Sequence, residues 1–179
     1  TTIEVLVGPI RGKSKTHLLT GYVHAAYPPV YSDLAKVSGF DSAILVKGVE
    51  GGVAPSLRGD GKIFYYNDDG EMKETKFNAK DLDINHKMRA VPLPELEKVE
   101  EIKLDEISSD INVEDFSQKA AEIGLLALDG KDGPAKDTLI FTASIALSII
   151  KKIQFTDAAD LIKKAINSGK AKEFFYNAR

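Results

Sequence analysis

The chain has 179 residues, a formal net charge of -3 and no cysteine, and 43% of its residues are hydrophobic while 28% are charged. This balance is typical of a soluble globular domain and excludes a chain-wide basic surface for nucleic acid or anionic lipid. The absence of cysteine excludes disulfides and thiolate chemistry. The most apolar stretch, residues 138–150, is shorter than the roughly 20 residues that span a bilayer. We therefore expect a cytoplasmic protein without a membrane partner.

The first residues predict a short helix over residues 2–10. A polar loop follows it and carries three cations, Arg11, Lys13 and Lys15. Such a group of positive charges suits a phosphate or a nucleic-acid backbone. An ordinary solvated loop explains the three cations equally well, so both interpretations stay open.

A strand, a helix and a second strand are predicted next. Residues 18–23 form the first strand, and Pro28 and Pro29 open a helix over about residues 30–37, because proline is tolerated in a first helical turn. Residues 42–47 form the second strand, which is apolar on both faces. Such strands are typical of parallel sheets covered by helices. The segment is therefore predicted to be a right-handed βαβ unit.

A glycine-rich loop and a hairpin follow the second strand. The loop covers residues 48–56. Two β-prone runs, residues 62–66 and 71–77, then flank a turn that contains Gly70, which is the pattern of a β-hairpin. The second run alternates charged and less polar residues, as a half-exposed edge strand does.

The remainder predicts a connector and then helices. Residues 90–110 are rich in acids, contain two prolines and are interpreted as the connector. Three helices are expected after it, with caps that suit them. They are residues 113–128 with Asn112 as the N-cap, residues 134–152 opening on Pro134, and a last amphipathic helix capped by Thr156 and ended by Gly169.

The predicted sheet is small for the helices that must cover it. Two parallel strands and a hairpin are fewer strands than doubly wound sheets usually contain. We therefore expect residues 1–179 to form a partial α/β domain, with the rest of the sheet upstream of Thr1.

Two loops are candidates for a ligand site, because open α/β sheets bind ligands outside the carboxyl ends of their strands. The loop after the first strand carries His24, either a ligand or acid–base group or simply a histidine hydrogen-bonded at a strand end. The loop after the second strand contains Gly48, Gly51 and Gly52, whose backbone amides are candidates for phosphate contacts. An ordinary turn also explains these glycines. No second histidine or cysteine lies at metal-ligand spacing.

Five segments occur in an order that is characteristic of one enzyme family. They are residues 2–10, similar to R-T-I-F-N-L-L-G-P-L-x-N-P; residues 21–24, similar to G-V-x-H-P; residues 47–51, similar to H-G-x-D-G; residues 133–137, similar to G-P-A-R-D; and residues 159–171, similar to a closing helix with A-x-x-x-I-x-S-G-x-A. The chain thus resembles the carboxyl-terminal part of the anthranilate phosphoribosyltransferase family, a glycosyltransferase family with a nucleoside-phosphorylase-like fold.

The resemblance implies a fold, a reaction and partners. The fold is the C-terminal part of a mixed-sheet α/β domain, with a β-hairpin and three C-terminal helices, in a protein that forms homodimers. The reaction transfers a phosphoribosyl group from phosphoribosyl pyrophosphate to anthranilate in tryptophan biosynthesis, with magnesium. The family's phosphate-binding glycine and Lys-His-Gly motifs lie upstream of the aligned region, so the N-terminal part of the protein is an expected partner.

One departure from the family pattern concerns the metal. In the family, Leu-Asp-Glu follows H-G-x-D-G, and its acidic pair holds magnesium; here Val53 and Ala54 occupy the two acidic positions. Neither binds a hard cation, which needs oxygen ligands. Glu50 replaces at most one of the two carboxylates. Magnesium is therefore expected for the family but is not supported by this segment, which is nearest to a second, anthranilate-phosphoribosyltransferase-like branch that keeps the fold and loses catalytic residues.

Two functions follow for the full protein. The first is phosphoribosyl transfer to an aromatic amine. The second is a non-catalytic role in binding nucleic acid or another phosphate-bearing ligand, with Arg11, Lys13 and Lys15 as the contacts. No catalytic residue and no metal ligand is predicted within the chain itself.

Overall fold

The computed structural model describes residues 4–8, 10–95, 102–104, 107–109 and 113–178. Short 3-10 turns cover Val49–Gly51 and Ala79–Leu82. The helices and strands, in chain order, are α1 (Glu4–Val7), β1 (His17–Gly21), α2 (Tyr27–Val37), β2 (Ser42–Val46), β3 (Asp60–Tyr66), β4 (Lys73–Asn78), β5 (Ile102–Leu104), β6 (Ile107–Ser109), α3 (Val113–Leu128), α4 (Pro134–Lys151), α5 (Phe155–Asn167) and α6 (Lys170–Asn177).

One mixed sheet organises the domain, with the strand order β1-β2-β3-β4. β1 and β2 are parallel, with Leu19 opposite Ile44. β2 pairs antiparallel with β3, and β3 pairs antiparallel with β4. Every residue of β2 is buried, as expected for a strand with both faces covered. The predicted βαβ unit, hairpin and α/β fold are therefore confirmed.

A hydrophobic core lies on each face of the sheet. Successive strand side chains point to opposite faces, so Ala43 and Leu45 of β2 enter one core while Ile44 and Val46 enter the other. The first core is closed by residues in and beside α2: Tyr31, Ala35 and Phe40. The second core is closed by α4 and α5, whose buried members include Phe141, Ile145, Ile149, Ala159 and Ile166.

The carboxyl-terminal helices differ from the prediction in number and start. The predicted end of the last helix at Gly169 is confirmed, since α5 ends at Asn167 and Gly169 has a left-handed φ of 76°, but a further helix, α6, follows it. α5 begins at Phe155 with Gln154 at the N-cap, so the predicted cap at Thr156 is wrong. The ring of Phe155 packs 4.7 Å from that of Phe77, which includes Phe155 in the core and explains the earlier start. The predicted N-cap Asn112 lies outside the described residues.

The start of α2 and the structure of the connector also differ from the prediction. α2 begins at Tyr27, so Pro28 and Pro29 lie inside its first turn rather than before it. The predicted connector contains the short antiparallel pair β5 and β6. In the part of the chain that the structure describes, no helix is long and apolar enough to cross a bilayer.

Candidate functional site

The loops that follow β1 and β2 meet at one edge of the sheet. The backbone amide of Tyr22, directly after β1, donates to the carbonyl of Val46 at the end of β2, at 2.9 Å. Further out, a β-carbon placed on Gly51 would lie 2.6 Å from Cγ2 of Val23. The structure therefore brings the two predicted loops into direct contact.

Backbone packing accounts for the glycines at this edge. A β-carbon on Gly21 would lie 2.1 Å from the carbonyl oxygen of Gly51 and 2.2 Å from that of Gly52. A β-carbon on Gly48 would lie 1.6 Å from the carbonyl oxygen of Gly52. Real β-carbons do not approach oxygen atoms this closely, so Gly21 and Gly48 allow the glycine loop to fold over the end of β1.

Three amides of the glycine loop bond within the loop itself. The amide of Val49 donates to Ala54 at 2.9 Å, that of Gly52 donates to Val49 at 2.9 Å, and that of Gly51 donates to Gly48 at 3.4 Å. Glu50, between them, is held at a left-handed φ of 51°. Phosphate contacts from the Gly51 and Gly52 amides therefore stay a prediction, and they require these internal bonds to open.

Lys47 lies at the mouth of the site and joins the two loops. It is the first residue after β2, and its ammonium donates to the carbonyl of Val23. The same ammonium lies 5.5 Å from the ring centre of Tyr22. Sequence reasoning placed Lys47 within a motif but not among the site residues. The signal that marks it is a charged residue that directly follows a strand with no other charge.

The ring of Tyr22 lies next to the ammonium of Lys47. Its side chain is buried and packs edge-on against Phe64, with 5.8 Å between the ring centres. Burial, with a smaller effect from the charge of Glu74, raises the pKa of the Tyr22 hydroxyl. The hydroxyl therefore stays protonated at neutral pH and is able to donate a hydrogen bond.

His24 is exposed beside the start of α2. Its ring lies 5.6 Å from that of Tyr27, and its carbonyl accepts a hydrogen bond from the Tyr27 amide at 3.0 Å. Neither ring nitrogen of His24 has a hydrogen-bond partner among the described residues. Its role as a ligand or an acid–base group stays a prediction.

The residues at the family's acidic positions do not fit a magnesium site. Val53 is 41% exposed but offers only carbon atoms, and Ala54 offers only a methyl group beyond its backbone. Nowhere in the described ranges do three or more His, Cys, Asp or Glu side chains cluster as a metal site would require. The described residues therefore present no set of three carboxylates for the metal, and the two aligned positions present none.

The three predicted cations lie at the opposite end of the sheet, before the start of β1. Arg11 donates to the carbonyl of Ser38 at 2.6 Å and covers the ring of Phe40. Lys15 forms an ion pair with Asp68 in the β3–β4 turn. Of the three, only Lys13 has no hydrogen bond or ion pair with any described residue, side chain or backbone. The structure does not bring these cations to the strand-end loops, and phosphate binding by them stays a prediction.

Comparison with known proteins gives a consistent result. No protein-family model matches the chain. The chain is 25% identical over 185 residues to the curated anthranilate phosphoribosyltransferase of Staphylococcus aureus strain Newman, a match that covers 99% of the chain and 48% of that protein. The chain thus spans about half the length of the curated relatives it matches.

Solved structures share the fold. Anthranilate phosphoribosyltransferase from Saccharomyces cerevisiae in complex with 4-fluoroanthranilate aligns with a TM-score of 0.57 at 15% identity, covering 88% of this chain and 40% of that one. The yeast enzyme in complex with PRPP and Mg aligns with a TM-score of 0.53 at 13% identity, covering 87% and 41%. The resemblance to the anthranilate phosphoribosyltransferase family is therefore confirmed, and the fold of this chain is similar to the C-terminal α/β part of these proteins.

Proposed function

We propose that the full protein containing this chain transfers a phosphoribosyl group from phosphoribosyl pyrophosphate to an aromatic amine, with anthranilate as the acceptor. The observation that carries the proposal is the similarity to a curated anthranilate phosphoribosyltransferase along 99% of the chain. In this reaction the amine nitrogen bonds to the anomeric carbon of the ribose. The bond from that carbon to the pyrophosphate oxygen breaks, and the nitrogen loses a proton.

In this proposal the chain contributes one wall of the site, formed by the loops after β1 and β2. Lys47 provides a positive charge at the mouth, where an anionic substrate approaches. The ring of Tyr22 makes a cation–π contact with the Lys47 ammonium. Residues of the full protein outside this chain complete the site and continue the domain, which agrees with the 48% share of the relative that the chain covers.

The proposal assigns no magnesium ligand to this segment, because Val53 and Ala54 do not fit the role. Metal ions stabilise much of the charge that develops when pyrophosphate leaves. In this proposal any metal that the full protein uses is held by residues other than Val53 and Ala54 or by the phosphates of the substrate. A cytoplasmic homodimer, which the family resemblance implies, is part of the proposal.

Nucleic-acid binding without catalysis is the alternative that the sequence left open. Its candidate contacts, Arg11 and Lys15, are engaged with Ser38 and Asp68 respectively. No contact in the described part of the chain favours this alternative over phosphoribosyl transfer.

The test is release of pyrophosphate by the full-length protein. Phosphoribosyl pyrophosphate and anthranilate are supplied together and each alone, with magnesium present and again with a chelator. We expect release that requires both substrates. Release at the same rate without any acceptor, or no release under any of these conditions, would contradict the proposal.

A further inference from the structure

The register of the β3–β4 hairpin places two cations side by side at the same end of the sheet as the strand-end loops. Asp60, the first residue of β3, pairs with Asn78, the last residue of β4. Arg58 lies two residues before that pair and Lys80 two residues after it. Both therefore project from the open end of the hairpin.

A pocket of about 430 Å³ opens at this point. Leu57 and Ile84, which are 1% and 4% exposed, are the buried apolar residues of its wall. The rest of the wall is polar and carries the charge. It consists of Arg58, Lys80, Asn85, His86 and Lys87.

The cations of this pocket lack ion-pair partners among the described side chains. Arg58, Lys80 and Lys87 form no ion pair with any carboxylate in the described part of the chain. Other cations of the hairpin are paired: Lys62 contacts Glu74 at 3.0 Å, and Lys73 contacts Asp69. Three unpaired cations around one concavity repel one another, and an anion bound between them would remove that repulsion.

The backbone around the pocket is fixed by hydrogen bonds. The Leu57 amide donates to the Arg89 carbonyl at 2.9 Å, which ties the two segments of the wall together. The Lys80 amide donates to the Asn78 side chain at 3.0 Å. His86 Nε2 and Asp137 Oδ2 are 2.7 Å apart, which joins the wall to the first turn of α4. The cations therefore project from an ordered frame.

We propose that this pocket binds a small phosphate-type anion, with Arg58, Lys80 and Lys87 as its charged contacts. A guanidinium presents two parallel N–H groups to phosphate oxygens, and the ammonium groups add point charges on either side. Asp81 and Asp83, on the same turn as Lys80, do not line the pocket. The ligand is orthophosphate or pyrophosphate, which share this chemistry. The site does not depend on the proposed function, because its residues follow the glycine loop and lie outside the contacts between the two strand-end loops.

The test is lysine footprinting of the full-length protein, which reports on individual residues. The protein is treated with an amine-acetylating reagent at constant ionic strength, with chloride, orthophosphate or pyrophosphate, and acetylation is read by mass spectrometry. We expect orthophosphate or pyrophosphate to slow acetylation of Lys80 and Lys87 at least about threefold. Lys151 and Lys164, which are exposed and have no ion pair among the described side chains, serve as internal controls and stay unprotected. The anion that protects at the lower concentration identifies the ligand.

Substitution of Arg58 distinguishes anion binding in the pocket from general shielding of the lysine charges by the added anion. Arg58→Ala is expected to raise the anion concentration for half-protection of Lys80 and Lys87 at least about tenfold, and Arg58→Lys to restore part of the effect. Equal protection of the control lysines, or unchanged protection in Arg58→Ala, would overturn the proposal. A protein that fails to release pyrophosphate from phosphoribosyl pyrophosphate still gives this readout, so the two proposals fail separately.

Discussion

Gly21 and Gly51 lie against each other so closely that a β-carbon on Gly21 would be 2.1 Å from the carbonyl oxygen of Gly51. This contact joins the last residue of β1 to the loop after β2. It means that the glycines of the site are required by the packing of one backbone on another. Ligand binding is not needed to explain their presence.

Gly21→Ala is expected to destabilise the protein. The added methyl group must displace the glycine loop, and overpacking of this kind typically costs about 1–3 kcal/mol in the free energy of unfolding. Gly59→Ala is the matched control, since a β-carbon there meets no atom within 4 Å. Urea denaturation of both variants gives the comparison. Equal midpoints for Gly21→Ala and Gly59→Ala would show that the loop does not pack as described.

Lys47→Met is expected to weaken binding of phosphoribosyl pyrophosphate. Methionine keeps an unbranched apolar side chain but removes both the charge and the hydrogen bond to the Val23 carbonyl. The loss of one charge-assisted contact corresponds to about 1.5–3 kcal/mol, or roughly a tenfold or greater rise in Kd. Calorimetric titration of the full-length protein with phosphoribosyl pyrophosphate measures this Kd.

Lys13→Met is the control for Lys47→Met, because Lys13 is exposed at the other end of the sheet. We expect its Kd to match that of the unaltered protein. A Kd that responds to Lys13→Met and not to Lys47→Met would place the substrate at the amino end of the strands.

The burial of the Tyr66 hydroxyl is expected to lower the free energy of unfolding at high pH. Its side chain is 2% exposed and its hydroxyl donates to the Phe40 carbonyl at 3.1 Å. Burial, with a smaller effect from Asp41, raises the pKa of Tyr66 to about 12. The unfolded chain releases this proton near pH 10 while the folded protein keeps it, so the free energy of unfolding falls as pH rises between about 10 and 12, by at most about 1.4 kcal/mol per pH unit.

Tyr66→Phe isolates this effect. The variant is expected to be less stable at neutral pH by about 1 kcal/mol, because the buried hydrogen bond is lost. Its disadvantage relative to the unaltered protein then shrinks above about pH 10. Denaturant titrations over this pH range provide the measurement, and a constant difference throughout would argue against a buried, protonated Tyr66.

Asp68 connects two segments that are distant in sequence, and we expect these contacts to weaken in acid. It is bonded to Lys15 before β1 and to Lys152 at the end of α4. The hydrogen bond and charge of Lys15, followed by the contact with Lys152, hold the pKa of Asp68 below its ordinary value. Its contribution to stability is therefore present above the ordinary pKa of 3.8 and is lost as pH falls through the lower pKa of the folded protein.

Asp68→Asn is expected to lower the denaturation midpoint at neutral pH and low salt. The difference should fade both in strong acid and at high ionic strength, because both exposed partners are screened by salt. Asp160→Asn, at an exposed position of α5 without an ion pair among the described side chains, should show neither trend. The same salt response in both variants would argue against the Asp68 contacts.

The sequence predicted the elements whose signals are local. The burial of β2 on both faces, the presence of a helix beside Pro28 and Pro29 and the β3–β4 hairpin all follow from residue type and spacing. The helix α6 was missed, because the exposed Phe174 gives it no clear apolar stripe.

The candidate site was predicted only in part. Strand order placed the loops carrying His24 and Gly48 at one edge, as observed. Contacts between residues distant in sequence, such as that of Lys47 with Val23 or the pairing that sets Arg58 beside Lys80, depend on the three-dimensional path of the backbone. Local patterns do not determine them.

The identity of the reaction product shows whether the full-length protein transfers a phosphoribosyl group to anthranilate. Full-length protein is incubated with phosphoribosyl pyrophosphate and anthranilate, and the product is analysed by mass spectrometry. We expect a compound with the mass of anthranilate joined to one phosphoribosyl group, formed together with an equal amount of pyrophosphate. Anthranilate recovered unchanged, under conditions in which a curated anthranilate phosphoribosyltransferase converts it, would contradict the account.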